Sequence, residues 1–307
     1  MRIFLTGGSG MVGRNIREHP HSRKHQIQFP SSAELDLLDR DAVYKALAIE
    51  MPDMVIHAAG RVGGIQANIS NPLRFLQDNL GMGVNVITAA HSLGIPNLIN
   101  LSSSCVYPKD ALNPLTEDMI LKGALEPTNE GYALAKIVNT RLCEFISREN
   151  LDKNYKTVIP CNLYGPYDKY DPSHSHMIPA VIRKLHEAKQ NELEVVDIWG
   201  NGKARREFMS ARDLAGFIYY AIDHFQSMPQ NLNVGLGLDY SIKEYYQAVA
   251  SVVGYTGKLR YDLTKPVGMK QKLMDDSELT NFGWQPKIAL REGLVDAYQF
   301  YKDENLK

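Results

Sequence analysis

The chain has 307 residues and carries 34 basic against 35 acidic side chains, which gives a formal net charge of -1. This balance disfavours a dedicated nucleic-acid or membrane-surface protein, and the length allows one large α/β domain with a smaller lobe. Three cysteines are too few and too scattered for a disulfide framework or a four-ligand zinc site, so we expect no metal and a reducing compartment.

The N-terminus predicts a buried strand that runs straight into a glycine-rich turn. Residues 2–6 are apolar and rich in β-formers, which leaves no room for a signal peptide. No apolar run approaches the roughly 20 residues that span a bilayer, so we expect a cytoplasmic protein. The turn has the spacing G-x-x-G-x-x-G and opens a helix, the context in which glycines let backbone approach a pyrophosphate. The residues expected to contact a dinucleotide here are Gly7, Ser9, Gly10, Met11, Val12 and Gly13.

A second strand over residues 26–29 bears on the choice between NAD and NADP. It ends in Pro30, Ser31 and Ser32, and not in the acidic residue that grips the ribose 2′-hydroxyl in NAD enzymes. The missing acid favours NADP(H). NAD(H) stays open, because no arginine stands at the strand end to hold a phosphate. Arg14, Ser31 and Ser32 are the candidate phosphate partners.

The next segments complete the predicted cofactor edge of the sheet. Asp36 either accepts a hydrogen bond from an adenine amine or caps the amphipathic helix that follows. Residues 53–57 form a third parallel strand, and its glycine-rich exit over 58–65 lies where ligands of open α/β sheets bind. The additional residues expected to contact the dinucleotide are Asp36, Leu37, Ala58, Ala59 and Gly60.

We expect a fourth strand over residues 98–101, and a cluster of serines follows it. Serines usually cap or turn. At this edge of the same parallel sheet, however, Ser103 and Ser104 face the place where a substrate must sit.

Tyr132 and Lys136 form the pair around which we interpret the chain. Residues four apart share a helix face, so both side chains reach one side of a cleft. Tyrosine has an ordinary pKa near 10, and a nearby ammonium favours its ionised form. The pair therefore predicts proton transfer to a carbonyl oxygen while hydride arrives at the carbon.

The C-terminal half departs from the regular alternation of strands and helices. We expect a strand and exit over 158–166, a helix over 177–190, a strand over 195–200, helices over 240–255 and 289–302, and a turn-rich link over 275–285. The predicted fold is a Rossmann-type doubly wound parallel sheet with a smaller α/β lobe. We assign residues 1–165, with a later return of about 207–240, to the dinucleotide-binding domain, and 166–307 mainly to a discontinuous substrate lobe.

Together, the glycines, Ser103, Tyr132 and Lys136 resemble the extended short-chain dehydrogenase/reductase family. The resemblance is closest to its GDP-L-fucose synthase branch, the GDP-4-keto-6-deoxymannose 3,5-epimerase/4-reductases, and it covers essentially the whole chain. Five blocks carry it: residues 59–65, 103–108, 126–130, 162–166 and 175–179.

The resemblance implies a role for each catalytic side chain. Ser103 would hydrogen-bond the sugar carbonyl, Tyr132 would donate the proton, and Lys136 would lower the tyrosine pKa and hold the nicotinamide ribose. Cys105 and His176 would be the acid/base pair that epimerises carbons beside the ketone. Their ordinary pKa values, near 8.5 and 6.5, suit both removal and return of such protons. The alternative roles are a small buried hydrophobe for Cys105 and a loop histidine for His176.

The resemblance also implies the remaining ligands. Asn162, Leu163 and His176 would contact the cofactor. The substrate would be a GDP-4-keto sugar, with Arg206 and Lys272 at its diphosphate. Three departures from the family pattern are Ser9 and the serines after the second strand, where arginines are common, and Lys184 in place of an arginine. The substrate-binding residues implied are Ser103, Ser104, Cys105, Asn162, Lys184, Trp199, Arg206 and Lys272.

Two other functions remain open at this point. One is a C4 reductase that acts on a pre-epimerised GDP-4-keto sugar such as a heptose. The other is a non-catalytic NADP(H)-binding protein, against which the intact Ser103, Tyr132 and Lys136 argue. By resemblance we expect a homodimer built on the helices around 75–92 and 132–149.

Overall fold

The computed structural model describes residues 1–171, 175–265 and 268–305. Its strands are β1 (Arg2–Thr6), β2 (Gln26–Gln28), β3 (Met54–His57), β4 (Asn97–Leu101), β5 (Asn154–Pro160), β6 (Asn162–Tyr164), β7 (Val195–Trp199), β8 (Arg205–Arg206), β9 (Phe208–Ser210), β10 (Asn231–Val234), β11 (Tyr240–Ser241), β12 (Lys258–Asp262) and β13 (Gln271–Lys272). Its helices are α1 (Met11–Glu18), α2 (Arg40–Glu50), α3 (Ile65–Ser70), α4 (Pro72–Ser92), α5 (Glu130–Glu149), α6 (Met177–Gln190), α7 (Ala211–Asp223), α8 (Ile242–Val253), α9 (Ser277–Phe282) and α10 (Leu290–Asn305).

Six strands form the central sheet in the order β2-β1-β3-β4-β5-β10, and every pairing in it is parallel. The chain reverses its direction of travel across the sheet between β1 and β3, which is the switch point where open α/β sheets bind ligands. Thr6 pairs with His57, and His57 with Asn100. The exits of β1, β3 and β4 therefore open at one edge of the sheet.

Both faces of this sheet are buried, as its continuous apolar strands require. Leu5 packs on the face covered by α1 and α7, in a cluster that includes Phe217. Its neighbour Phe4 points to the opposite face and packs with Val43 of α2 and Ile87 of α4. The predicted Rossmann-type doubly wound sheet is confirmed.

A second, smaller group of elements has its own core. Helices α6, α8 and α10 pack around Tyr164, Leu185, Val249 and Leu294. The short sheets β7-β12, β11-β8-β13 and β6-β9 belong to this half of the molecule or connect it to the first. Because these strands contain two to five residues, each depends on tertiary contacts for its pairing.

Most predicted elements lie within a few residues of the observed ones, and α6 has the predicted bounds. The turn-rich link over 275–285 differs, since it contains α9, a six-residue helix that ends at Phe282 and is followed by Gly283 with φ +92°. A helix this short is below the length at which apolar periodicity can indicate it. None of the helices in the described parts of the chain is long and apolar enough to cross a membrane.

Candidate active site

The glycine turn after β1 requires glycine at two positions. Gly7 has φ +73°, and a Cβ there would lie 2.6 Å from the Ala59 nitrogen. A Cβ at Gly13 would lie 2.2 Å from the Gly7 carbonyl oxygen. Gly10 donates its N–H to that same oxygen, 3.0 Å away, and immediately precedes α1. The predicted residues Ser9, Met11 and Val12 thus lie in this turn or in the first turn of α1, whose N-terminus favours an anion.

Arg17 of α1 reaches the end of β2 with its side chain, and the sequence interpretation missed it. Its guanidinium stacks 3.5 Å from the ring centroid of Phe29 and donates to the Gly8 carbonyl oxygen at 3.0 Å. The predicted candidate Arg14 instead stacks on Tyr167, 4.3 Å from the ring centroid. Arg17 is therefore a cation beside both the glycine turn and the strand end where the ribose 2′ substituent is recognised.

The segment after β2 is held by hydrogen bonds within itself and to α4. The Asp36 carboxylate accepts from the Leu38 N–H at 2.9 Å, and Asp39, not Asp36, caps α2. The helix-capping role left open for Asp36 is therefore wrong, and its contact with an adenine amine stays a prediction. The carbonyl of the predicted cofactor residue Leu37 accepts from Asn85 of α4 at 2.9 Å, which fixes this loop against the helix.

The exit of β3 reaches Lys136, one of the predicted catalytic residues. Ala58 and Ala59 donate their N–H groups to Thr6, each at 3.3 Å, so the exits of β1 and β3 are joined. A Cβ on Gly60 would lie 3.0 Å from Asn79 Oδ1 and 3.8 Å from Lys136 Nζ. The predicted residues Ala58, Ala59 and Gly60 therefore line the passage between the glycine turn and Lys136.

Tyr132 and Lys136 share one face of α5, with the ammonium 5.8 Å from the phenol ring centroid. Burial raises the pKa of Tyr132 well above its ordinary value. The nearby Cys105 also raises it, while a hydrogen bond with Ser103 opposes the shift. Lys136 donates to the Leu101 carbonyl oxygen at 2.8 Å, and burial lowers its pKa to about 8. At neutral pH the site thus holds a protonated phenol beside a largely charged ammonium.

Of the serines at 102–104, Ser103 is the one that is partly exposed, and its side chain hydrogen-bonds Tyr132. Its Oγ accepts from the Cys105 N–H at 3.3 Å and begins a short 3-10 turn over Ser104–Val106. Ser104 is buried, with 2% of its surface exposed. Direct contact of the Ser104 side chain with a substrate therefore stays a prediction that its burial disfavours.

The thiol of Cys105 lies among polar donors. Asn129 Nδ2 is 3.0 Å from its sulfur, and Lys272 Nζ is 3.7 Å away. Asn129 ends the turn Pro127–Asn129 and immediately precedes α5, so the helix that carries Tyr132 also positions this amide. Asn129 had no role in the sequence interpretation, although it stands in the block 126–130 that the resemblance singled out.

His176 lies at the N-terminal end of α6, immediately before its first turn. Burial and the positive charge of Lys169 lower its pKa, so its imidazole is neutral at pH 7. A Cβ on Gly64 would lie 2.6 Å from the carbonyl oxygen of Ser175. The segment that carries His176 therefore packs on the loop that leaves β3, at the same edge as Tyr132.

The predicted substrate residues are spread over the smaller lobe. Arg206 and Lys272 are paired neighbours on β8 and β13. Asn162 donates to the Glu207 carbonyl oxygen at 2.9 Å, and the adjacent Leu163 packs on the main core. Trp199 ends β7 with 46% of its surface exposed. Lys184 donates to the Asp197 carbonyl oxygen of that strand. Of the five predicted substrate residues among these, Arg206 and Lys272 are the ones for which the structure gives an interaction with Cys105.

No group of three or more metal-ligating side chains occurs among the described residues. The chemistry available is that of Ser103, Tyr132, Lys136, Cys105 and His176: proton donation to a carbonyl oxygen, and proton exchange at a carbon beside it.

The chain is similar to known nucleotide-sugar enzymes. Residues 3–235 match the NAD dependent epimerase/dehydratase family. The chain is 54% identical to a GDP-L-colitose synthase of Yersinia pseudotuberculosis (99% of each chain) and 48% identical to a GDP-L-fucose synthase of Azorhizobium caulinodans (98% of this chain, 96% of the other). A solved GDP-mannoheptose C4 reductase from Campylobacter jejuni with NADP bound has a TM-score of 0.88 and 31% identity, with 98% of each chain covered.

Proposed function

The chain belongs to the NAD dependent epimerase/dehydratase family, and we propose that it is an NADPH-dependent epimerase/reductase that converts a GDP-4-keto-6-deoxy sugar into GDP-L-fucose or a close analogue. The observation that carries this proposal is the cluster of Ser103, Tyr132 and Lys136 with a thiol that contacts the same cluster. Relatives with nearly full coverage are GDP-L-fucose and GDP-L-colitose synthases.

The turn after β1 fits a dinucleotide. The space beside Gly7 and Gly13 is closed to any side chain, so backbone can approach a pyrophosphate there. Arg17 would meet the 2′-phosphate of NADP(H), and Lys136 the nicotinamide ribose. When bound, the cofactor supplies hydride to C4 of the sugar. The fit agrees with the NADP bound to the related Campylobacter reductase.

Reduction needs a proton on the C4 oxygen as hydride arrives. Tyr132 is protonated at neutral pH and donates it, while Ser103 hydrogen-bonds the same oxygen. The Lys136 ammonium then stabilises the phenolate left behind. In this direction a raised tyrosine pKa keeps the acid loaded with its proton.

Epimerisation uses the acidity of the carbons beside the ketone. Cys105 and His176 are assigned as the base and acid that act on the two faces of the sugar. Fucose and colitose differ at C3, where colitose lacks the hydroxyl. An L-configured product requires inversion at C5, and inversion at C3 applies only when a hydroxyl is present on that carbon. Arg206, with its neighbours in the smaller lobe, would hold the GDP moiety.

A second candidate is reduction without epimerisation. The similarity to a GDP-mannoheptose C4 reductase favours it. The Cys105 sulfur accepts hydrogen bonds from Asn129 and Lys272 and lies near Tyr132, and this favours the bifunctional enzyme.

The test is incubation with NADPH in heavy water of GDP-4-keto-6-deoxymannose and, separately, its 3-deoxy analogue, with products read by NMR. We expect deuterium at C5, and at C3 of the hydroxylated substrate, in an L-configured product. In Tyr132→Phe the rate of reduction should fall at least about a hundredfold, while deuterium exchange at the sugar carbons continues. In Cys105→Ser deuterium exchange should be lost, while a pre-epimerised substrate is still reduced. Reduction without exchange would establish the second candidate, and no turnover of either sugar would contradict the substrate class.

We further propose a cytoplasmic homodimer. All three cysteines are free thiols, as expected in a reducing compartment. Helix α5 exposes Leu134, Val138 and Phe145 on one face, at 38%, 44% and 45% of their surfaces. A second copy of the chain would cover this apolar stripe.

A further inference from the structure

The sulfur of Cys105 is approached by two hydrogen-bond donors from different parts of the chain. The Asn129 amide nitrogen is 3.0 Å away, and the Lys272 ammonium is 3.7 Å away. The Cys105 backbone N–H is held by Ser103 at 3.3 Å, so the thiol itself is fixed at the start of its turn. Two donors that converge on one sulfur match the hydrogen-bonding needs of a thiolate better than those of a thiol, which has a proton of its own to donate.

Lys272 is a buried cation, with only 8% of its surface exposed. It is held in place by the pairing of β13 with β8, where its partner residue is Arg206. Arg206 also interacts electrostatically with Cys105. Burial of cations is costly unless a negative group lies close. The carboxylates of Glu126 and Asp239 already act on Arg206, and a thiolate at Cys105 would add a negative charge next to the Lys272 ammonium.

Asn129 reaches the same sulfur through the turn Pro127–Asn129. Its backbone N–H donates to the Glu126 carbonyl oxygen at 3.1 Å, and this bond fixes the end of the turn. The Asn129 Oδ1 is buried and has no hydrogen-bond partner within the described residues. The amide is therefore directed at the sulfur by the backbone and not by a competing side-chain network.

We propose that Lys272 and Asn129 are positioning residues that hold Cys105 as the thiolate, the form that removes the proton beside the keto group. This inference rests on the proposed function, and it gives Lys272 a role other than contact with the diphosphate. In the step, the C–H bond breaks and an S–H bond forms, while the C–H electron pair becomes an enolate with its charge on the keto oxygen. His176 takes up a proton from solvent and delivers it to the opposite face of the carbon, and the thiol releases its proton to solvent, so both side chains return to their starting states.

The test measures the alkylation of Cys105 by iodoacetamide without substrate, because the thiolate is the reactive form. Labelling is followed for each cysteine by mass spectrometry from pH 6 to 9. The wild type should react at nearly the same rate across this range. Lys272→Met should react about tenfold more slowly at pH 7 and approach the wild-type rate toward pH 9, whereas Lys272→Arg should stay within about threefold of it.

The chain supplies its own controls. Lys270 is exposed two residues away, so Lys270→Met removes the same charge from the same segment and should leave the rate unchanged. Cys143 and Cys161 are buried, and burial raises the pKa of both thiols, so their labelling reports unfolding. If Cys143 and Cys161 of Lys272→Met are labelled, that variant is unfolded and Asn129→Ala replaces it as the deciding variant. We expect Cys105 of Asn129→Ala to be alkylated about threefold more slowly than in the wild type at pH 7.

The proposal would be overturned if Cys105 of Lys272→Met were alkylated at the wild-type rate at pH 7, or if Lys270→Met slowed the alkylation equally. Where Asn129→Ala is the deciding variant, an unchanged alkylation rate in it would also overturn the proposal. The assay contains no sugar, so it is independent of the heavy-water test. Failure to turn over either GDP sugar would overturn the proposed function and leave the labelling result standing. A failed labelling test would leave the reductase chemistry intact.

Discussion

Tyr132 carries its proton at neutral pH because burial raises the pKa of its phenol. The sequence interpretation expected Lys136 to lower this pKa, and in the structure burial outweighs any such effect. The Lys136 ammonium points to the Leu101 carbonyl oxygen and lies beside the phenol ring. An acid that must give a proton to a ketone is better kept protonated until hydride arrives, so the raised pKa fits reduction more directly than an ionised tyrosine would.

At the residue scale, Arg17→Ala should weaken NADPH binding selectively. The guanidinium between Phe29 and the Gly8 carbonyl oxygen lies where a 2′-phosphate is recognised, and arginine binds phosphate through paired donors. We expect the KM for NADPH to rise about tenfold and the KM for NADH to change less than about twofold. Steady-state kinetics with both cofactors measure the two effects.

Arg14→Ala is the matched comparison, because Arg14 was the candidate from sequence and stacks on Tyr167. We expect it to affect NADPH and NADH alike. A selective loss of NADPH affinity in Arg14→Ala with none in Arg17→Ala would transfer the role to Arg14.

At the element scale, the packing of α4 against α5 depends on one glycine. A Cβ on Gly83 would lie 1.9 Å from the Asn139 side-chain nitrogen, and Asn139 is fully buried. The Asn139 amide donates to the Asn79 carbonyl oxygen at 3.3 Å, and Asn79 in turn holds both backbone groups of Arg61 beside Gly60. The closeness of these two helices therefore supports the loop that reaches Lys136.

Gly83→Ala should destabilise the protein by about 1–3 kcal/mol, since overpacking a buried contact outweighs the gain in helix propensity. Urea denaturation followed by circular dichroism measures the change in unfolding free energy. Gly81→Ala is the control two residues away. Its Cβ would meet only the Leu38 Cδ2 at 3.1 Å, and this exposed side chain can move. Equal stability of Gly83→Ala and Gly81→Ala would contradict the packing argument.

At the scale of the whole molecule, the exposed apolar face of α5 leads us to expect a dimer. The wild type should sediment at micromolar concentration with about twice the 34.5 kDa mass of the chain. Val138→Glu should give monomers, because it places a charge in the middle of the stripe, where a partner would bury it.

Ile49→Glu is the control for added charge at an exposed apolar position. Ile49 lies on α2, away from the stripe, with 80% of its surface exposed. This variant should remain dimeric. A wild type that sediments as a monomer, or a dimer that survives Val138→Glu, would exclude this face as the interface.

The sequence by itself determined the parallel strands around the glycine turn and the shared helix face of Tyr132 and Lys136. Apolar runs bounded by glycine indicate buried parallel strands, and a spacing of four on a helix puts Tyr132 and Lys136 on one face whatever surrounds them. These are local relations, so residues close in the chain suffice to establish them. The resemblance to a known family added Cys105 and His176, which no local pattern joins.

The tertiary structure alone decided which partners reach these residues. Lys272 is 167 positions from Cys105, and it is placed there by β8 and β13, strands of two residues each. Strands this short carry no periodicity, so their pairing follows from the docking of the smaller lobe. Arg17 likewise acquires its place from the packing of α1 against the end of β2. Burial, which sets the proton on Tyr132, is also a property of the assembled fold.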